Sequence, residues 1–198
     1  MNRTKIKIYI LRMLPNFCWG FKLLILKSLL KKVGKNVHFG PDCQFYNNKL
    51  IEIGNNVFIG NRSTISTKVQ VKIGDNVMFG PEVMIIGGDH NFSTVGIPMI
   101  QSKKGGCNFP IVIENDVWIG ARALILKGVK IREGSVIGAQ SLVNKDVLPY
   151  SINAGNPSRY IKPRYNYDCL NTHLKAVDSI YTCSEIKRLY QEAGQTLT

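Results

Sequence analysis

The chain has 198 residues, 44% of them hydrophobic and 20% charged, which suits one globular domain with a sizeable core and excludes long disorder. Its net charge of +13 is unevenly placed, because Arg3, Lys5, Lys7, Arg12, Lys22, Lys27, Lys31, Lys32 and Lys35 all precede the first acid, Asp42. That asymmetry points to an anionic partner, and the apolar residues between these cations favour a membrane surface over nucleic acid.

Residues 1–32 read as a basic amphipathic helical segment. Arg12, Pro15, Lys22 and Lys27 interrupt its apolar run, so it is a poor transmembrane span. No uninterrupted apolar core leads to a small-residue cleavage site, so it does not read as a secretory signal either. The expectation is a cytoplasmic protein. The segment either packs on its own domain or a neighbouring subunit, or touches the inner face of the cell membrane.

From residue 33 an aliphatic or aromatic side chain recurs every sixth position: Val33, Phe39, Phe45; Ile53, Ile59, Ile65; Ile73, Phe79, Ile85; then Ile113, Ile119, Ile125, Ile131, Ile137, Val143 and on to Pro149. Steps of eight at Phe45 to Ile53 and at Ile65 to Ile73 read as two-residue insertions at a corner. Four residues after most of these positions stands a second small or β-branched residue, as at Val57, Ser63, Val77, Ala123 and Ser141. Glycine often follows the aliphatic directly, and Gly, Asn and Asp tolerate the positive φ of tight turns. A six-residue unit is therefore a short extended side plus a corner, and three sides close a triangle. Stacked at roughly 4.8 Å, about five such coils make a prism on the order of 24 Å tall. The expected fold is an all-β solenoid over residues 33–165.

One step breaks the period. Between Ile85 and Ile113 lies "IGGDHNFSTVGIPMIQSKKGGCNFPIV", a loop at about 87–110 too long for a corner, and long loops on rigid scaffolds carry function. It holds His90, the only histidine in an interrupted part of the repeat. A neutral imidazole suits deprotonation of a poor nucleophile near pH 7. Asp89, directly before it, is either a turn former or an orienting carboxylate. Cys107 in the same loop offers a covalent alternative, although no basic neighbour in sequence activates it.

The five cysteines, Cys18, Cys43, Cys107, Cys169 and Cys183, form an odd set without CxxC spacing, so reduced thiols are expected. Residues 166–198 carry Leu170, Leu174, Val177, Ile180, Ile186, Leu189 and Tyr190 at roughly helical spacing, a C-terminal helix that caps the prism or binds a partner.

The aliphatic–Gly–x–x–small–x repeat resembles the hexapeptide-repeat acyltransferases. Within them, "GGDHNFSTVGIPM", "VIENDVWIGARALI", "VIGAQSLVNKDV" and "AGNPSRYIK" are similar to the sugar and xenobiotic O-acetyltransferases. The resemblance implies a left-handed parallel β-helix, a homotrimer and transfer of acetyl from acetyl-CoA to a hydroxyl, with His90 as base. The hand is taken from the family, since the usual crossover rule gives the opposite. The resemblance also implies that Trp118, Ala121, Ala139, Asn144, Lys145, Arg159 and Lys162 contact the cofactor. Asn144 stands where the galactoside type has threonine, and Lys162 where it has a second arginine, which loses the bidentate phosphate contact. The coil "IGNRSTISTKVQ" departs from the acidic and amide pattern with which galactoside enzymes hold their sugar, so the acceptor stays open: a surface-polysaccharide or lipid-linked sugar, an antibiotic, or serine.

Two further classes remain. A γ-type carbonic anhydrase needs three zinc-binding histidines on the prism, whereas His38, His90 and His173 are widely separated. No metal is expected. A non-catalytic solenoid would need neither the His90 loop nor the cationic "NPSRYIK" stretch.

Overall fold

The structure, a computed structural model, describes residues 19–102, 105–106 and 109–197. The chain winds into a left-handed parallel β-helix of triangular cross-section with helices at both ends. The first face stacks Lys32–Val33, Ile51–Ile53, Val71–Ile73, Ile111–Ile113 and Lys130–Ile131. The second stacks His38–Phe39, Phe58–Ile59, Met78–Phe79, Trp118–Ile119, Val136–Ile137 and Ser151–Ala154, and ends on the antiparallel strand Arg159–Pro163. Gln44–Tyr46, Thr64–Thr67, Met84–Gly87, Leu124–Leu126 and Leu142–Val143 form the third.

The six-residue period is the stacking register itself. On the first face Val33, Ile53, Ile73, Ile113 and Ile131 pair in a column, and on the third face Phe45, Ile65, Ile85, Ile125 and Val143 do the same. From the second coil upward these side chains are buried, as are Val57, Ser63, Val77, Val83, Val117, Ala123, Val129, Ser135 and Ser141. Each large aliphatic so removed from water contributes about 1.5–3 kcal/mol before chain entropy is counted.

The glycines after the column residues are not the positive-φ positions; those are the residues two further on, such as Asn56 (φ 54°), Arg62 (φ 56°), Asn76 (φ 57°), Glu82 (φ 60°) and Arg122 (φ 60°). The glycines are required by close approach of the next coil. A Cβ on Gly80 would lie 2.6 Å from the Ala121 nitrogen, and one on Gly120 2.5 Å from the Ala139 nitrogen. The period also does not reach Pro149. Val147 bridges Ile131, and Asn153 takes the next place above Ile137 on the second face. Polar corner ladders accompany the strained backbone: Asn36 donates to Asn56 and Asn56 to Asn76, while Glu82 bridges Arg62 and Arg122.

Helix α1 (Trp19–Leu29) sends Leu26 into the prism core, joined by Leu30 just beyond it, and leaves Leu24 67% exposed. The earlier part of the basic segment lies outside the described residues, as does Cys107. No described helix is long and apolar enough to cross a membrane. The tail forms two helices rather than one. Helix α2 (Tyr167–Ala176) starts at Asn166, whose side chain accepts the Cys169 N–H at 2.9 Å, and α3 (Cys183–Glu192) starts at a Thr182–Glu185 capping box. Asp178, at φ 51°, lies between them. Leu170, Leu174, Ile186 and Tyr190 pack on Tyr150 as a second small core.

Candidate active site

The loop leaves the third face at Gly87 and rejoins the first at Ile111. Across this break the coil offset doubles, so that Asp75 pairs with Asn115, 40 residues on, whereas Asn55 pairs with Asp75, 20 on. The excursion therefore leaves the register of the next coil intact.

His90 is exposed and forms an isolated antiparallel bridge with Gly105, so the outgoing and returning limbs of the loop meet at the histidine. Asp89 does not make a described contact with the imidazole. One of its oxygens accepts the His90 backbone N–H at 2.8 Å, and the other pairs with the ammonium of Lys127. The Lys127 ammonium, with help from that N–H, holds the Asp89 carboxyl below the usual carboxylate range. The turn-forming hydrogen bond to the His90 N–H and the charge of the His90 side chain both act on this carboxylate. Lys127 escaped the sequence reading. Its only signal was a lysine immediately after a third-face strand, at the corner where the preceding coil releases the loop.

The residues expected at the cofactor occupy a different region. Trp118 is 51% exposed on the outer surface of the second face, paired with Met78 below and Val136 above. Lys162 lies at the top of that surface opposite Ile152, and Arg159 is exposed opposite Ala154. Ala121 and Ala139 sit at the corner between the second and third faces, next to the glycines that admit close stacking. Asn144 and Lys145 follow the last third-face strand, at the edge from which the His90 loop departs two coils below. Within one chain, the third face separates His90 from Ala121 and Ala139.

A groove lined by Lys32, Glu52, Lys72, Glu114 and Ile180 lies on the first face and touches none of these residues. His38 points outward from the second face, and the His173 ring sits between Tyr150 and Tyr165. Among the described residues no three His, Cys, Asp or Glu side chains converge as a metal site.

The family model described as bacterial transferase hexapeptide (six repeats) matches residues 110–145, and the hexapeptide repeat of succinyl-transferase matches residues 51–69. A galactoside O-acetyltransferase from Lactococcus lactis subsp. lactis (strain IL1403) is 32% identical over 159 residues, covering 78% of this chain and 73% of that protein. The chain belongs to the hexapeptide-repeat acyltransferase family. A hexapeptide-repeat-containing acetyltransferase from Vibrio cholerae O1 biovar eltor, solved with acetyl-CoA, is a structural neighbour of this family member with a TM-score of 0.71. The two are 29% identical over 82% of this chain and 85% of that one. A chloramphenicol acetyltransferase from Klebsiella aerogenes is 57% identical over 54 residues, 27% of this chain. The chain spans only 26% to 54% of the length of the first curated relatives it matches.

Proposed function

We propose that this family member is an acetyl-CoA-dependent O-acetyltransferase that acetylates a sugar hydroxyl in surface polysaccharide biosynthesis, with His90 as general base. The observation that carries the reading is an exposed histidine held where the two limbs of the one long loop meet. The neutral imidazole takes the proton of the acceptor hydroxyl as its oxygen bonds to the thioester carbonyl carbon. The carbon–sulfur bond then breaks, and the imidazolium returns the proton to the departing thiolate. The products are an acetyl ester and free coenzyme A thiol.

The residues present suit the donor. Small side chains at Ala121 and Ala139 leave backbone accessible along one corner, Trp118 offers an exposed aromatic wall, and Arg159 and Lys162 supply cations for phosphates. The Lactococcus and Vibrio relatives are named for acetyl transfer, and the second was solved with acetyl-CoA. Because the third face lies between this group and His90, a homotrimer in which the edge of one copy meets the next would complete the site. Exposed Lys27, Lys32 and Lys35 continue the N-terminal excess of cations around α1, in keeping with peripheral contact at the inner, anionic face of the cell membrane. Flotation of full-length protein with anionic vesicles, and not of protein beginning at Val33, would support that contact; equal flotation would reject it.

The deciding experiment for the activity is release of free thiol from acetyl-CoA across sugars, nucleotide sugars, serine and antibiotics. Turnover with a sugar, lost in His90→Ala, is the expected result. A second reading, an antibiotic acceptor, is favoured by the local identity of 57% with the Klebsiella enzyme. Turnover with chloramphenicol alone in the same panel would select it.

A further inference from the structure

We propose that Lys127 is a positioning residue that fixes the His90 loop to the next coil through Asp89; the inference rests on His90 being the base.

Contacts from both ends of the loop converge on the corner at Lys127 and Gly128. At the outgoing end, Lys127 pairs with Asp89, and the other Asp89 oxygen accepts the His90 N–H. The carboxylate thus links a cation on the prism to the backbone of the histidine. At the returning end, Gly105 bridges His90, and Gly106 passes so close that a Cβ there would stand 2.7 Å from the Asp89 Cβ. Finally Phe109 lies over Gly128, where a Cβ would be 3.1 Å from the Phe109 Cβ.

The corner is a firm base for such a clamp. Leu124, Ile125 and Leu126 pair with Met84, Ile85 and Ile86 of the coil below, and Ile125 is fully buried. Lys127 and Asp89 have side chains only 27% and 31% exposed, so the pair is partly shielded from water and salt. Phe92, Val95, Met99 and Ile100 of the loop are all strongly exposed, at 62% or more, so the rest of the excursion has little packing of its own in one chain. Its placement depends on the ends. A base displaced by about 1 Å from its productive position costs up to about 10²-fold in rate.

Hydrogen exchange read by mass spectrometry on the full chain tests this, with peptides from residues 51–67 as an internal control. In Lys127→Met, exchange across residues 88–102 should rise at least about tenfold while the control stays unchanged. Lys127→Arg, which keeps the cation, should restore the protection. Asp89→Asn, which leaves Lys127 in place, should loosen the same peptides. Unchanged exchange at 88–102 in Lys127→Met or in Asp89→Asn overturns the proposal, and so does an equal rise in the control peptides. In thiol release, Lys127→Met should lower kcat about tenfold or more with the KM for acetyl-CoA unchanged. His90→Ala run beside it separates the two ideas. Full turnover by that variant, with the exchange pattern as expected, removes the base assignment and leaves the clamp standing.

Discussion

The Tyr150 hydroxyl donates to the carboxylate of Glu133 at 2.6 Å, and the two residues are 0% and 2% exposed. The other Glu133 oxygen accepts the Ile180 N–H at 3.2 Å, so one buried acid ties the last coil to the link between α2 and α3. Burial, reinforced by this acceptor, pushes the Tyr150 phenol well above its ordinary range, and it stays a donor at any working pH. Glu133→Ala leaves the Ile180 amide without its acceptor and the phenol with only the longer contact to Ser179 Oγ at 3.2 Å, and should cost about 1–3 kcal/mol in urea unfolding. Glu133→Gln keeps one acceptor oxygen and should cost less.

Substitutions along the stack should differ by mechanism. Gly80→Ala forces backbone apart where a Cβ would sit 2.6 Å from the Ala121 nitrogen, an overpacking cost of about 1–3 kcal/mol. Ile85→Ala, at a fully buried column position, opens a cavity and should cost about 2–5 kcal/mol. Midpoints of denaturant unfolding at fixed pH measure both.

Much of this architecture was legible because the sequence period and the stacking register are the same quantity. Ile53 and Ile73, and again Ile113 and Ile131, are one coil apart, so reading their period is reading their column. The legibility failed where contact replaced period. Positive φ at Arg62, Glu82 and Arg122 is unfavourable for such residues locally and is held by the neighbouring coils and the charge ladder, which no single coil encodes. Lys127 is another case, since its partner Asp89 is 38 residues away across the inserted loop. The break between α2 and α3 also depends on a distant group, Glu133, which accepts the Ile180 N–H.

Glu82 gives a pH prediction. Hydrogen bonds from Arg62 and then Arg122 hold its carboxyl below the usual range. A lowered folded value means that the stabilisation is complete above the unfolded carboxylate pKa, about 4.3, and is lost as the pH falls through the folded value. Glu82→Gln should therefore be less stable than the parent chain at pH 7, and the difference should shrink as acid protonates Glu82. Urea titrations at several pH values would reveal it.

The cofactor assignment predicts a separate kinetic signature. Arg159→Ala and Lys162→Ala should each raise the KM for acetyl-CoA and leave the acceptor KM near its original value. Movement of the acceptor KM alone would place these cations at the other substrate.

Thiol chemistry offers a test independent of any substrate. Burial pushes the Cys43 thiol up to about 11, against a smaller lowering by backbone hydrogen bonds, and its Sγ lies 3.2 Å from the Gly60 carbonyl oxygen. Cys169 is exposed. At pH 8 little Cys43 is thiolate, so a maleimide or iodoacetamide should label Cys169 much faster, as site-resolved mass spectrometry would record.

Asn153 stands where the coils below hold Ile137 and Ile119, and the strand Arg159–Pro163 runs antiparallel along the outer edge of its own strand. The Leu142 strand is likewise met by Gly155 and Ser158, and Lys130 by Val147, while Leu26 and Leu30 close the opposite end. A parallel solenoid with a bare terminal rung would offer unpaired amides and carbonyls to any chain like itself. Here the rungs at the upper end are already satisfied by the chain's own returning segments. Among the described residues the upper end of the prism therefore presents no bare parallel rung on which another copy could stack.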